Sequence, residues 1–240
     1  MKKSIFISLF VAFAAISLTS AQDLDKILDN HFETIGQKNL ENVKTIQATG
    51  KAMMGGMESP FKMVSKRPNK IQITVEFQGA KIIQAYDGET VWMINPLMGS
   101  ADPIDVTGPE ADGIIESGDL DGQLWNYKEK GHQLELEGTE DVDGTEAYVL
   151  KLTKKNGNID YYYMETESYL ILKIKSKTMM NGSETEAEAI LSNYQDVDGY
   201  IMAFTIEQKY GGQTAMTIMM DEIKTNMEVD DSIFSKPANN

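Results

Sequence analysis

The side chains able to carry chemistry are few. The chain has no cysteine, which removes disulfides, thiol catalysis and thiolate metal sites together. Its two histidines are His31, inside a helical run, and His132, at the start of a strand. Neither stands in a nucleophile or metal spacing such as G-x-S-x-G or H-E-x-x-H. With so little acid–base machinery, the sequence reads as a non-enzyme. Three D-x-D-G motifs, at Asp119–Gly122, Asp141–Gly144 and Asp196–Gly199, raise the question of calcium. An EF-hand loop counted from each first Asp needs glycine at the sixth position, where Leu124, Glu146 and Ile201 stand instead. Tight turns explain the second and third motifs better.

Methionine is abundant, with pairs at Met53-Met54 and Met179-Met180 and a cluster at Met216, Met219 and Met220. Thioethers bind Cu(I), but copper sites usually add well-placed His or Cys, which are lacking here. Lining of a core, or of an adaptable apolar cavity for flexible hydrocarbon, is the preferred reading. No metal and no cofactor is expected.

The first residues address the chain. Met1-Lys2-Lys3 is a basic start, Ile5 to Leu18 is apolar apart from Ser8 and Ser17, and Thr19-Ser20-Ala21 places a small residue at a cleavage position. This is the pattern of a secretory signal peptide over residues 1–21, too short for a membrane span. Its removal predicts a soluble periplasmic protein, residues 22–240, forming one domain. Losing Lys2 and Lys3 takes the formal charge from −15 to −17. A chain this acidic repels nucleic acid and anionic headgroups.

The elements follow from periodicity. Leu24, Ile27, Leu28, His31, Phe32 and Ile35 recur at helical spacing between Asp23 and Gly36, and a shorter helical piece follows around Leu40 and Val43. From Thr45 the period becomes two, as in Ile71, Ile73, Val75 and Phe77. Asp-Gly at 87, 143 and 198, Asn-Gly at 156 and 181 and Gly-Gly at 55 and 211 mark hairpin turns. These spacings predict an antiparallel meander of ten or eleven strands, mainly β, between about 45 and 228. One Pro-, Gly- and acid-rich segment, Asn95 to Lys130, interrupts it, with helical possibilities at 109–117 and 119–128. A long insertion in a regular meander suits a lid.

Two segments then carry a resemblance. Lys66-Arg67-Pro68-Asn69 looks like the K-R-P-N that begins a strand in LolA-type lipoprotein carriers, and Asp87-Gly88-Glu89-Thr90-Val91-Trp92-Met93-Ile94-Asn95-Pro96 looks like their D-G-K-T-L-W-F-Y-N-P hairpin. Asp143-Gly144 with Ala147-Tyr148, Asp198-Gly199 and the ending Val229-Asp230-Asp231-Ser232-Ile233-Phe234 fit more loosely. Where the family often has a proline after the last D-V-D-G, this chain reads Met202-Ala203-Phe204.

The resemblance implies an incomplete, half-open antiparallel β-barrel with an N-terminal helix and a helical lid. It implies lipoprotein acyl chains or similar lipids as cargo, with transient partners in the transport machinery of the inner and outer membranes. It also implies that Arg67, the sole arginine of the chain, hydrogen-bonds lid backbone and holds the empty carrier closed. The expected cavity lining is Ile71, Ile73, Val75, Phe77, Trp92 and Ile94. A bound acyl chain gains about 0.8 kcal/mol per buried methylene, so a dozen contribute roughly 10 kcal/mol before ordering costs. The protein is expected to be a monomer. Two other functions compete: a periplasmic scaffold gripping a polypeptide on its concave sheet, and a metal or small-molecule sensor built on methionine.

Overall fold

The computed structural model describes residues 23–180 and 183–238, so the expected leader, residues 1–21, lies outside it. Two helical pieces come first, α1 (23–35) and α2 (Gln37–Leu40). Gly36 separates them at φ +72°, and a Cβ there would stand 2.1 Å from the Gly199 carbonyl oxygen. Both the dihedral and the close approach demand glycine.

Thirteen strands follow. The first meander is β1 (Thr45–Met54), β2 (Met57–Lys66), β3 (Lys70–Phe77), β4 (Ala80–Tyr86), β5 (Val91–Asn95) and β6 (Ser100–Asp105). The second is β7 (Gln133–Val142), β8 (Thr145–Thr153), β9 (Ile159–Glu165), β10 (Ile171–Met180), β11 (Ser183–Val197), β12 (Tyr200–Tyr210) and β13 (Gln213–Thr225). Each strand pairs antiparallel with its neighbours, and β1 pairs with β13 to join the two meanders into one sheet. The edges of that sheet are β6 and β7. It is therefore mainly β, as the periodicity implied, and an open barrel, as the resemblance implied.

This topology fixes where the lid must go. The link from β6 to β7 has to travel from one edge of the open sheet to the other, and so it crosses the mouth. It consists of α3 (Pro109–Ser117) and a run of turns over 120–131. Pro109 in the first turn of α3 matches the position where a missing N–H is harmless. Three details differ from expectation. Thirteen strands stand where ten or eleven were expected. The segment 119–128 is turns rather than helix, and β6 lies inside the stretch expected to be irregular. Pro103 obscured that strand; it is tolerated because β6 is an edge, where a lost donor breaks no inner ladder.

Three helices cover three parts of the concave face. Leu24, Ile27 and Leu28 of α1 pack on Leu134, Leu150, Leu152 and Met164 of β7–β9. Leu40 of α2 sits among Ile46, Phe204 and Ile223. Ala111 and Ile114 of α3 lie over Ile71, Val91 and Met93. Full burial of each large aliphatic contributes roughly 1.5–3 kcal/mol. On the convex face the C-terminal segment straps back across the first meander. Asp231 takes Lys66 and Lys70 at 2.5 and 2.9 Å, Trp92 Nε1 donates to the Phe234 carbonyl at 2.7 Å, and Phe234 is fully buried.

Candidate binding cavity

Between the sheet and its helices lie two confluent cavities of about 460 and 830 Å³. Each falls in the range of roughly 300–1,000 Å³ typical of small-molecule sites. The smaller runs beneath α1 and the turns of the lid, where Ile35, Met63, Met202 and Met220 line it. The larger runs beneath α3, between Val75 and Ile82 on one wall and Met179 and Met216 on the other. Phe61, Ile73, Ser117, Gln208 and Ile218 border both. Three methionines line each cavity, Met63, Met202 and Met220 in the smaller and Met54, Met179 and Met216 in the larger, and these side chains adapt their shape at low cost.

The six expected lining residues divide. Ile73 faces both cavities and Val75 the larger. Ile71 is fully buried in the packing beneath α3. Phe77 ends β3 half-buried and does not line either cavity. Trp92 and Ile94 are corrected outright. The register pairs Ile73 with Gln84 and Gln84 with Met93, so Met93 shares the face of Ile73. Trp92 and Ile94 therefore point to the convex side, where Trp92 meets the C-terminal strap. A parity slip of one residue moves every side chain to the other face.

Arg67 sits where β2 leaves the sheet and joins three parts of the chain. Its Nη1 and Nη2 donate to Asp121 Oδ2 and Oδ1, both at 2.6 Å. Nε donates to the Val43 carbonyl at 2.7 Å, and Nη2 also donates to that of Leu40 at 3.0 Å. The carboxylate is in the lid; the carbonyls belong to α2 and the residues after it. The lid contact is thus a bidentate side-chain pair and not the backbone bonds the resemblance implied. Asp121 raises the guanidinium's pKa further, by its hydrogen bonds first, so the latch stays charged. Beside it Gly118 rests on the same K-R-P-N corner, where a Cβ would come within 2.5 Å of Asn69 Oδ1. A side chain at 118 would oblige Asn69 to swing aside and Ile71 to give by a few tenths of an ångström.

A second polar contact holds the other side. Lys154 Nζ lies 2.8 Å from Glu116 Oε2 at the end of α3 and 2.9 Å from Asp160 Oδ2 on β9. Lys154 and Asp160 are each under a tenth exposed. Burial raises the pKa of Glu116, the pull of Lys154 notwithstanding, because that one ammonium is shared with Asp160. Lys154 is itself buried, which by itself would lower its pKa, yet its two carboxylates hold it above the ordinary lysine value.

The remaining chemistry-bearing residues are engaged. Asp119 receives Lys130, while Asp141 and Asp196 accept the Gly144 and Gly199 amides of their turns at 2.9 and 3.1 Å. Among the described residues, no group of three His, Cys, Asp or Glu side chains converges as a metal site. His31 borders the smaller cavity and is buried. Its Nδ1 donates to the Tyr169 carbonyl at 2.7 Å, and desolvation holds its pKa below the usual histidine value.

No family model and no curated protein matches this sequence. Solved structures do. A DUF1329 family protein from Desulfovibrio piger superposes with a TM-score of 0.59 at 14% identity, covering 87% of this chain and 97% of that one. An outer membrane lipoprotein-sorting protein domain from Vibrio parahaemolyticus gives 0.58 at 13%, covering 88% and 97%. A LolA superfamily protein from Nitrosomonas europaea gives 0.55 at 13%, covering 85% and 96%. The fold is LolA-like.

Within this LolA-like frame, the sequence reading missed residues of two kinds. Phe61 and Met63 alternate in β2, but Pro60 and Lys62 interrupt the run and hid it. Asp121 was passed over as part of a D-x-D-G motif, although a lone arginine in so acidic a chain must find a carboxylate. Lys154 and Asp160 carried no sequence signal, because only the β8–β9 hairpin brings them under α3.

Proposed function

We propose that this protein is a non-enzymatic periplasmic carrier. It takes the acyl chains of lipoproteins, or of similar lipids, into the cavity and passes them toward the outer membrane. The observation that carries the proposal is an apolar, methionine-lined cavity under a lid whose two sides are tied by ion pairs. Apolar contacts grip a hydrocarbon chain without selecting its length, and polar latches open without exposing a core. A dozen buried methylenes contribute roughly 10 kcal/mol, enough to offset both the ordering of the chain and the breaking of one latch. The leader-like first residues fit a periplasmic life. The likeness to a lipoprotein-sorting domain supports the same reading.

The test is native mass spectrometry of the protein purified from the cell envelope, together with titration of the delipidated protein with a fluorescent fatty-acyl probe. Acyl adducts and saturable probe binding are expected. A co-purifying polypeptide or copper, with no probe binding, would replace this reading by the scaffold or the sensor.

A further inference from the structure

Where the two cavities meet, the wall changes character. A recess of about 350 Å³ opens between α3 and the β8–β9 hairpin. Its floor is Ser176, Ala187 and Ala189, which the register places on one face of β10 and β11. Small side chains there hollow the sheet. Gln208 pairs with Ala189 and Tyr210 with Ala187, so both side chains rise from the same face at its border. Tyr162 closes the opposite side.

These three side chains hold unused hydrogen-bonding groups. Tyr162 is only 5% exposed, yet among the described residues its hydroxyl has no hydrogen-bond partner. Neither the Gln208 amide nor the Tyr210 hydroxyl has one. The contrast is Tyr194, also in the cavity wall, whose hydroxyl donates to the Ile171 carbonyl. All three groups open onto the recess and not into packed core, so a bound molecule that reaches it can complete their hydrogen bonds.

We propose that the recess is a polar subsite of the cargo cavity, where Tyr162, Gln208 and Tyr210 hydrogen-bond the uncharged ester or amide groups of a two-chain amphiphile. Its acyl chains then run into the apolar lobes on either side. The inference rests on the carrier reading and adds the class of headgroup junction. Connectivity supports two chains: Tyr162 and Ile174 border both the recess and the smaller lobe, while Gly113 and Tyr210 border the recess and the larger one. Charge decides against a free fatty acid. The charged side chains turned toward the recess are one cation, Lys154, and two carboxylates, Glu116 and Asp160, both of which Lys154 already serves. A further carboxylate would meet excess negative charge. An ester or amide carbonyl accepts from a tyrosine hydroxyl or a glutamine N–H without that repulsion.

The experiment measures displacement of Nile red from the full mature chain by dioctanoylglycerol, by the matching dioctyl ether, which lacks the carbonyls, and by palmitate. The diester should bind about tenfold more tightly than the other two, the change expected from one good buried hydrogen bond. Tyr162→Phe combined with Gln208→Met should close the gap between diester and ether, whatever it does to the apolar contacts that both ligands share. A far-UV circular dichroism spectrum and a urea transition like those of the wild type show that the variant is folded. Equal binding of diester and ether by the wild type, palmitate binding as tight as the diester, or a variant that weakens both alike would overturn the subsite and leave the carrier standing. Failure of every ligand to displace Nile red would remove the carrier reading and this inference with it.

Discussion

At the scale of residues, Arg67 is the most exposed to test. Its guanidinium makes two bonds to the lid through Asp121 and two to the carbonyls of Leu40 and Val43. Hydrogen bonds to charged groups contribute about 1.5–3 kcal/mol each before the discount for partial exposure, so losing the pair shifts a two-state lid by tenfold or more. Arg67→Leu should therefore bind an acyl probe at least as tightly as the wild type and release it to an acceptor more slowly, because closing empty is less favourable. Arg67→Lys should fall between, since an ammonium has no fork. Asp121→Asn should repeat the Arg67→Leu effect, and the double variant should add little to either. Unchanged off-rates across the set would reduce Arg67 to a structural cation. The sequence pointed to Arg67 through its uniqueness and its K-R-P-N setting, but it could not name Asp121, which lies 54 residues away along the chain. It misplaced Trp92 because alternation gives the spacing of a face and not which face it is; that choice is made by the Asp87–Thr90 turn and the register it sets.

At the scale of elements, the meander was readable because its turns carry their own chemistry. The Gly-Gly pairs at 55 and 211 and the Asp-Gly pairs at 143 and 198 adopt positive φ at both residues, and each closes a hairpin. The C-terminal strap was not readable as an element. It has no period, and its cohesion comes from single contacts with distant strands. Phe234 tests its weight. It is fully buried, its carbonyl accepts the Trp92 indole, and Asp231 nearby holds Lys66 and Lys70. Phe234→Ala should lower stability by about 3–5 kcal/mol, as large-to-small changes at buried aromatics do. The urea midpoint should fall with the slope unchanged, and the acyl-probe affinity should be preserved below the transition, because the strap lies on the face opposite the cavity. A loss below about 1 kcal/mol would mean that the sheet holds its shape without the strap.

At the scale of the whole molecule, an open sheet and one crossing link create a mouth, and the two polar latches stand on its two sides. Arg67 ties the turns of the lid to the first meander, and Lys154 ties α3 to the second. Closing the lid therefore buries a triad of one cation and two carboxylates. Lys154→Met would leave Glu116 and Asp160 buried against each other, which costs about 3–5 kcal/mol when a partner is removed from a buried pair. Lifting α3 relieves most of that cost. Hydrogen exchange in the empty variant should accelerate over 109–131 while the β1–β13 pairing keeps its protection, and an acyl ligand should do the same to the wild type. Acidity should act in the opposite direction. Burial raises the pKa of Glu116 when the lid is down, with Lys154, Asp160 and Asp112 as the charges that face it. Closure then takes up a proton between the ordinary carboxylate value and the raised one. Linkage makes the closed state more favourable as pH falls into that window and less so as it rises out of it. Exchange over 109–131, corrected for the intrinsic rate, should slow on mild acidification in the wild type, and Glu116→Gln should abolish that dependence. If the pH dependence survives in Glu116→Gln, closure is governed by some other group and the triad is only packing.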